Sequence, residues 1–151
     1  MKNYHHKKLP SFSTLLSGHS PQDEFGFKSH KIQIWYNNTN ESWVGKGESP
    51  HKHLESDECF IVLRGTLVVN VEGEQFEINP GEYCLFPAGI FHNIVEVKPP
   101  VETFIIRAPS SNDKVYKDRQ WNQVQGNILP ASVLTPAAWD RLRRRERGNF
   151  G

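Results

Sequence analysis

GKGESPHKHLESDECFIVLRG, residues 45–65, places two histidines and a glutamate beside an apolar run. His51 and His53 are two residues apart, so their side chains point to the same face of an extended strand. Glu58 follows a short turn and opens the apolar run Cys59–Leu63, which is typical of the next strand. Imidazole and carboxylate ligands suit Zn, Fe, Ni, Mn or Cu and disfavour a Ca or Mg site built from oxygen alone. The stretch therefore predicts one half of a transition-metal site.

A second histidine-bearing stretch, GEYCLFPAGIFH at residues 81–92, ends on His92. Its glycines and its proline predict turns on either side of the strand Tyr83–Phe86. The return of the chain after these turns would bring His92 to the first stretch as a fourth ligand. The two stretches together predict the functional centre, and the remaining chain is its scaffold.

The composition indicates a single globular domain without a strong charge. The chain has 151 residues, of which 36% are hydrophobic, and its formal net charge of +1 gives no attraction to nucleic acid or to membranes. No apolar run approaches the ~18 residues that a membrane span needs, and the N-terminus lacks the apolar region of a signal peptide. Cys59 and Cys84 are too few for a disulfide scaffold. We expect a soluble cytoplasmic protein that binds neither nucleic acid nor a membrane.

Strand-like runs at close spacing fill the middle of the chain, with no helical pattern between them. Turn residues separate the runs, and Glu72-Gly73 in particular fits a two-residue hairpin turn with positive φ. This pattern is typical of an antiparallel β-sandwich or β-barrel, so the predicted fold class is all-β. The predicted strands are Lys31–Tyr36, Trp43–Val44, Cys59–Leu63, Thr66–Val71, Gln75–Ile78, Tyr83–Phe86, His92–Val97 and Val101–Ala108.

The chain divides into three predicted parts: an N-terminal lead-in segment at 1–30, the β-barrel at 31–108 and a C-terminal extension at 109–151. The extension holds a short helix over about residues 136–147, because Thr135 suits an N-cap, Pro136 the first helical position and Gly148 a stop. We interpret its basic end, RLRRRER, as a solvated end that matches the helix dipole. The alternative is a contact with an anionic partner.

The two histidine stretches resemble the two sequence motifs of the cupin superfamily. The first motif is Gly, five residues, His-x-His, three or four residues, Glu, six residues, Gly; the second is Gly, five residues, Pro-x-Gly, two residues, His, three residues, Asn. Together they span residues 45–96, about a third of this chain, and Glu96 stands where the family usually has Asn. The other motif positions match: Gly45, His51, His53, Glu58 and Gly65 in the first motif, and Gly81, Pro87, Gly89 and His92 in the second.

The resemblance implies a small antiparallel jelly-roll β-barrel with a metal ion held inside. Carried over from the family motifs, the cofactor is one divalent ion of Fe, Mn, Ni, Zn or Cu, and its ligands are His51, His53, Glu58 and His92. Three histidines and one glutamate leave coordination positions for water or substrate, which is the arrangement of a catalytic rather than a closed site. Small members of the family commonly pair, so the resemblance also favours a homodimer.

The reaction remains open at this point, because the fold hosts many chemistries. We expect a metal-dependent enzyme that acts on a small oxygen-bearing organic substrate, first of all a dioxygenase-type oxidoreductase. The alternatives are a metal-dependent isomerase or lyase, a non-catalytic small-molecule-binding protein, and a structural role in which the metal only stabilises the barrel.

Strand alternation suggests which side chains surround the metal. Glu58, Phe60 and Val62 share one strand face, and His92, Ile94 and Glu96 share another, so both sets would line one cavity. As catalytic residues, for proton transfer or for support of the ligands, we single out Tyr83, Glu96 and Arg107. The aromatic candidates for the cavity wall are Trp35 or Tyr36, Trp43, Tyr83 and Phe86.

Overall fold

Strands form all of the regular secondary structure in the described part of the chain, which is residues 4–18, 26–44 and 48–118 of a computed structural model. The all-β class is thus confirmed, and among these residues there is no helix with the length and apolarity to span a membrane. The helix predicted over 136–147 lies outside the described residues. The strands are β1 (Thr14–Gly18), β2 (Phe27–Lys28), β3 (Gln33–Thr39), β4 (Trp43–Val44), β5 (His51–His53), β6 (Asp57–Val71), β7 (Glu74–Ile78), β8 (Tyr83–Phe86), β9 (His92–Ala108) and β10 (Lys114–Tyr116).

These strands hydrogen-bond into one sheet with the topology of an antiparallel jelly roll. Neighbours follow the order β10-β5-β9-β3-β1-β2, and β6 joins through its pairing with β7, β8 and β9. Only β1 and β2 pair in parallel among the described strands. The hydrogen-bonded path does not return on itself within the described residues, so the sheet is an open barrel. Both β1 and β10 extend this sheet beyond residues 31–108.

Two long strands stand where the sequence predicts four shorter ones. β6 runs on through Arg64-Gly65, and β9 runs on through Pro99-Pro100, because shifts in register on either side of Arg64 let the two strands bend while they stay paired. Gly65 has φ +74°, and a Cβ added there would lie 2.4 Å from the carbonyl oxygen of Pro100. Glycine is therefore what lets β6 pass the proline bend of β9.

The hydrophobic core lies on the inner face of β6, where alternate residues are buried as expected of a strand with one covered face. This core occupies one part of the interior. Between β3, β5, β6 and β9 the interior instead carries polar side chains and a cavity. The buried core residues are Phe60, Val62, Leu67, Val69, Ile78, Phe86, Val97 and Val101.

Candidate metal centre

Two buried histidines lie on the short strand β5. His51 and His53 are 3% and 2% exposed, whereas Lys52 between them is only partly buried. Both imidazoles therefore face the interior, in agreement with the prediction from their spacing. The strand is held on both sides, because β5 pairs with β9 through His51 and with β10 through all three of its residues.

Glu58 and His92 complete a buried cluster with these histidines. His92, the first residue of β9, pairs directly with His51. The Glu58 Oε2 atom is 2.7 Å from His92 Nε2 and 3.4 Å from His53 Nε2. It lies 4.0 Å from His51 Nε2. One potential ligand atom from each residue is within 4.8 Å of all the others, so the fold brings together the four residues of the motif.

Hydrogen bonds on the far side of each ring assign the tautomers of the three histidines. Nδ1 of His51 and Nδ1 of His92 face backbone carbonyl oxygens at 3.1 and 3.0 Å. Nδ1 of His53 faces Asp113 Oδ1 at 2.9 Å. Because carbonyls and carboxylates only accept hydrogen bonds, each Nδ1 donates, and each Nε2 directs a lone pair into the cluster.

The resulting arrangement of acceptors fits a metal cation. Three imidazole lone pairs and a carboxylate oxygen face one another, which is unfavourable unless a positive charge lies between them. His53 Nε2 is buried and has no hydrogen-bond partner among the described residues. A divalent transition-metal ion accepts nitrogen and oxygen ligands of this kind. The residues present therefore suit the cofactor that the family motifs imply.

The protonation states of the ligands also favour metal binding. Burial, together with the nearby ammonium of Lys114, lowers the pKa of His51 to about 4, so its imidazole is neutral at neutral pH. Burial by itself would raise the pKa of Glu58. The close contacts of its carboxylate with the His53 and His92 imidazoles outweigh that effect and hold the Glu58 pKa well below its usual range. Glu58 is thus an ionised carboxylate.

Asp113, in the loop between β9 and β10, holds the His53 ring from behind. The residue is 3% exposed, and its Oδ2 accepts hydrogen bonds from the N–H groups of Glu55 at 2.8 Å and Ser56 at 2.7 Å. Burial lowers the pKa of His53, but the hydrogen bond with Asp113 and the nearby Glu58 carboxylate outweigh it and raise that pKa. The sequence prediction missed Asp113, because it lies 60 positions from His53 in a segment without any motif.

Two aromatic rings fix the orientation of His92. Phe86 stacks on this imidazole, with 4.2 Å between ring centroids and 11° between ring planes. Phe60 meets it edge-on at 6.0 Å. Both phenylalanines belong to the hydrophobic core, so His92 is anchored to that core.

A cavity of about 330 Å³ opens onto this cluster and contacts it at His51 and Glu58. Its volume lies at the lower end of the ~300–1,000 Å³ typical of ligand pockets. Among the aromatic residues predicted to line the cavity, Trp35 does so. Tyr36 instead donates a hydrogen bond from its hydroxyl to Glu102, and the Trp43 side chain lies outside the described part of the chain. The remaining lining residues are Gln33, Asn37, Glu48, Phe60, Ile94, Ile105, Arg107 and Lys114.

An ion pair borders the cavity beside His51. Glu48 Oε1 accepts hydrogen bonds from Lys114 Nζ and from the Tyr116 hydroxyl, each at 2.6 Å. Its other oxygen is 3.5 Å from His51 Nδ1. Burial would raise the pKa of Glu48, but the hydrogen bond and charge of Lys114 lower it, so the carboxylate is ionised at neutral pH.

The structure places the three polar residues that the sequence singles out in different environments. Arg107 lines the cavity, and its Nη1 is 3.2 Å from His53 Nδ1. Tyr83 is 72% exposed and pairs with Ile61, whose side chain points to the outer face of β6, opposite to the buried Phe60. Arg107 is therefore at the cluster, and Tyr83 is at the surface.

A bulge in β9 turns Glu96 away from the cavity. Ile94 pairs with Val69 and Glu96 pairs with Val68, which makes Val95 an extra residue. Val69 belongs to the core and Val68 points to the opposite face of β6, so Ile94 and Glu96 also point to opposite faces. The sequence predicts that Ile94 and Glu96 share the inner face with His92. Ile94 lines the cavity as predicted, and Glu96 does not.

Comparisons with known proteins agree with this architecture. Three solved structures share the fold: KdgF from a Halomonas species, the DMSP lyase DddQ from Ruegeria pomeroyi and a cupin protein from Bacteroides fragilis. Their identities to this chain are 19%, 18% and 16%, and their TM-scores are 0.51, 0.50 and 0.53. At such identities the likeness is one of fold alone.

The three likenesses extend over different parts of the proteins. The match to KdgF covers 67% of this chain and 80% of KdgF, and the match to the Bacteroides fragilis protein covers 86% of this chain and 100% of that protein. The match to the lyase covers 70% of this chain but only 50% of the lyase. No curated protein sequence matches the chain. Residues 41–105 match the family model of the cupin domain, and this range includes the whole His51, His53, Glu58 and His92 cluster. Residues 41–105 of this chain therefore form a cupin domain.

Proposed function

We propose that this protein is a metal-dependent enzyme that acts on a small oxygen-bearing organic substrate. In this proposal His51, His53, Glu58 and His92 hold one divalent transition-metal ion, and the cavity beside them binds the substrate. One observation carries the proposal: four ligand atoms within 4.8 Å of one another adjoin a cavity of about 330 Å³. A purely structural metal site would not need a cavity at two of its ligands.

The first reaction that we propose is of the dioxygenase type, in which both atoms of O₂ enter the substrate and no separate reductant is required. A bound Fe, Mn, Ni or Cu ion would supply the redox chemistry for this reaction. The chain's own contribution is a partly apolar pocket, with Trp35, Phe60, Ile94 and Ile105 in its wall. These side chains exclude water and hold an organic substrate beside the ligands.

A second candidate is an isomerase or lyase reaction, in which the metal acts as a Lewis acid. It is favoured by Glu48, which lines the cavity and is joined to Lys114 and the Tyr116 hydroxyl. These groups can accept or donate the proton that isomerisation and elimination require. The fold likeness to a DMSP lyase is compatible with such chemistry and does not select it.

Oxygen uptake separates the two reactions. The metal-loaded protein is incubated with enols, 1,3-diketones, catechols and hydroxy acids, and both O₂ and the organic compound are followed. Loss of a compound with an equal amount of O₂ supports the dioxygenase, and loss of a compound without O₂ supports the isomerase or lyase. A rise in unfolding temperature without any conversion identifies a non-catalytic binding protein and contradicts the enzyme proposal. Glu58→Ala is the inactive variant, and the exposed Glu74→Ala is its matched control.

A further inference from the structure

We propose that Arg107 binds a carboxylate group of the substrate. The substrate is then a compact organic anion, and its carboxylate lies beside the oxygen atom that binds the metal. This inference rests on the proposed function of the same cavity and narrows its substrate class. It is carried by the position of Arg107, by its unused hydrogen-bond donors and by the charges around the cavity.

Arg107 lies in a row of polar residues across the inner face of the sheet. Its position in β9 pairs with Gln33 of β3 on one side and with Glu58 of β6 on the other. Residues directly opposite each other on paired strands point to the same face. All three side chains line the cavity, so the guanidinium is next to the metal ligands.

The guanidinium has more donors than the protein uses. Nη2 donates to Gln33 Oε1, and Nη1 lies 3.2 Å from His53 Nδ1. That nitrogen already donates to Asp113, so it cannot also accept from Arg107. Nε is buried and has no hydrogen-bond partner in the described part of the chain. A partly buried guanidinium with free donors at the edge of a cavity is suited to bind a planar carboxylate.

The charges around the cavity also leave Arg107 unbalanced. The four charged lining residues are two cations, Arg107 and Lys114, and two carboxylates, Glu48 and Glu58. Glu48 pairs with Lys114 at 2.6 Å, and Glu58 is directed at the three imidazoles. No carboxylate of the described residues is within ion-pair distance of Arg107. A divalent ion would leave these lining residues with two excess positive charges, of which the buried Asp113 carboxylate behind His53 offsets one and an anionic substrate the other.

The size and the wall of the cavity restrict the rest of the substrate. A volume of about 330 Å³ holds a small molecule of one ring or a short chain. Trp35, Phe60 and Ile105 lie in one row across β3, β6 and β9, next to the row of Arg107. A substrate on Arg107 would therefore rest its carbon body against these three side chains.

Binding of a matched pair of probes to the cobalt(II)-loaded protein tests the inference. Salicylate carries a carboxylate beside a phenol oxygen, and salicylamide is its neutral counterpart. Both are titrated by the visible absorption of the cobalt, and the ratio of the two affinities is compared between wild type and Arg107→Met. Arg64→Gln, which removes an exposed positive charge, is the matched control. We expect the preference for salicylate to fall about tenfold or more in Arg107→Met, as expected for a lost charge-assisted hydrogen bond.

The outcomes separate this inference from the proposed function. If wild type binds cobalt but the affinity ratio is the same in wild type and in Arg107→Met, the role of Arg107 is overturned and the metal site stands. Failure of wild type to bind cobalt overturns both. If Arg107→Met does not fold, Arg107→Lys takes its place, because lysine keeps the positive charge but lacks the planar guanidinium. The ratio of salicylate to salicylamide affinity must then be several-fold lower in Arg107→Lys than in Arg64→Gln. An unchanged ratio in Arg107→Lys then overturns the inference.

Discussion

The carboxylate of Asp113 lies 2.9 Å from Nδ1 of His53, and the side chains of both residues are almost completely buried. Asp113 itself is fixed by the N–H groups of Glu55 and Ser56 and by the Ser56 hydroxyl. It follows β9 and lies outside the residues that match the cupin domain. The C-terminal segment thus orients a ligand that the domain itself supplies, by the carboxylate–histidine contact known to raise metal affinity.

Asp113→Asn is expected to weaken metal binding about 10–100-fold, the usual cost of losing a partner behind a ligating histidine. The amide can present a donor to His53 Nδ1, which favours the tautomer with the proton on Nε2 and removes the lone pair from the cluster. Competition with a metallochromic chelator measures the affinity. The exposed Asp118→Asn is the matched control, and equal affinities for the two variants would refute the role of Asp113.

Removal of the metal is expected to lower the unfolding temperature without unfolding the protein at room temperature. The acceptors of His51, His53, Glu58 and His92 then face one another, while the apolar core on β6 remains intact. With metal at about 100 times its dissociation constant, the loss is about 2.7 kcal/mol, or about 5–10 °C for a chain of this size. Scanning calorimetry before and after chelation measures it. An unchanged unfolding temperature, or no recovery on adding metal back, would contradict the prediction.

Gly65→Ala is expected to destabilise the fold more than Gly73→Ala does. Both glycines have positive φ, but a Cβ at Gly65 would lie 2.4 Å from the Pro100 carbonyl oxygen, whereas a Cβ at Gly73 meets no atom within 4 Å. Gly73→Ala should cost about 1–2 kcal/mol in the free energy of unfolding, and Gly65→Ala at least about 3 kcal/mol, because a steric clash adds to backbone strain. Urea unfolding measures both, and equal costs would show that β6 and β9 are not in contact there.

Tyr83→Phe and Glu96→Gln are expected to leave metal content and probe binding within about twofold of wild type, since surface changes have effects of about 0.5 kcal/mol or less. Tyr83 is 72% exposed, and Glu96 points away from the cavity beyond the bulge at Val95. The cobalt titration with salicylate detects any change. A tenfold loss in either variant would mean that the residue reaches the cavity after all.

The sequence predicts the parts of this protein that depend on local spacing. The His51 and His53 pair follows from strand alternation, and the hairpin turn Glu72-Gly73 has the predicted positive φ at both residues, 51° and 92°. The strand Tyr83–Phe86 has the predicted bounds. In each case a few neighbouring residues determine the local structure by themselves.

The parts that the sequence does not predict depend on contacts between distant segments. The bulge at Val95, which reverses the direction of Glu96, exists only in the pairing of β9 with β6. Asp113 and Gln33 reach the site because β10 pairs with β5 and β3 pairs with β9. No short-range pattern marks either residue, so only the tertiary structure shows their roles.

Metal content per chain is the measurement that tests the central claim most directly. The protein is purified untagged and without chelator, and elemental analysis is made on wild type, His51→Ala, Glu58→Ala, the isosteric Glu58→Gln and the control Glu74→Ala. We predict about one Fe, Mn, Ni, Zn or Cu ion per chain in wild type and in Glu74→Ala, and its loss in both alanine variants. Wild type without metal even after reconstitution, or full metal content in His51→Ala and Glu58→Ala, would contradict the assignment of this cluster as the metal centre.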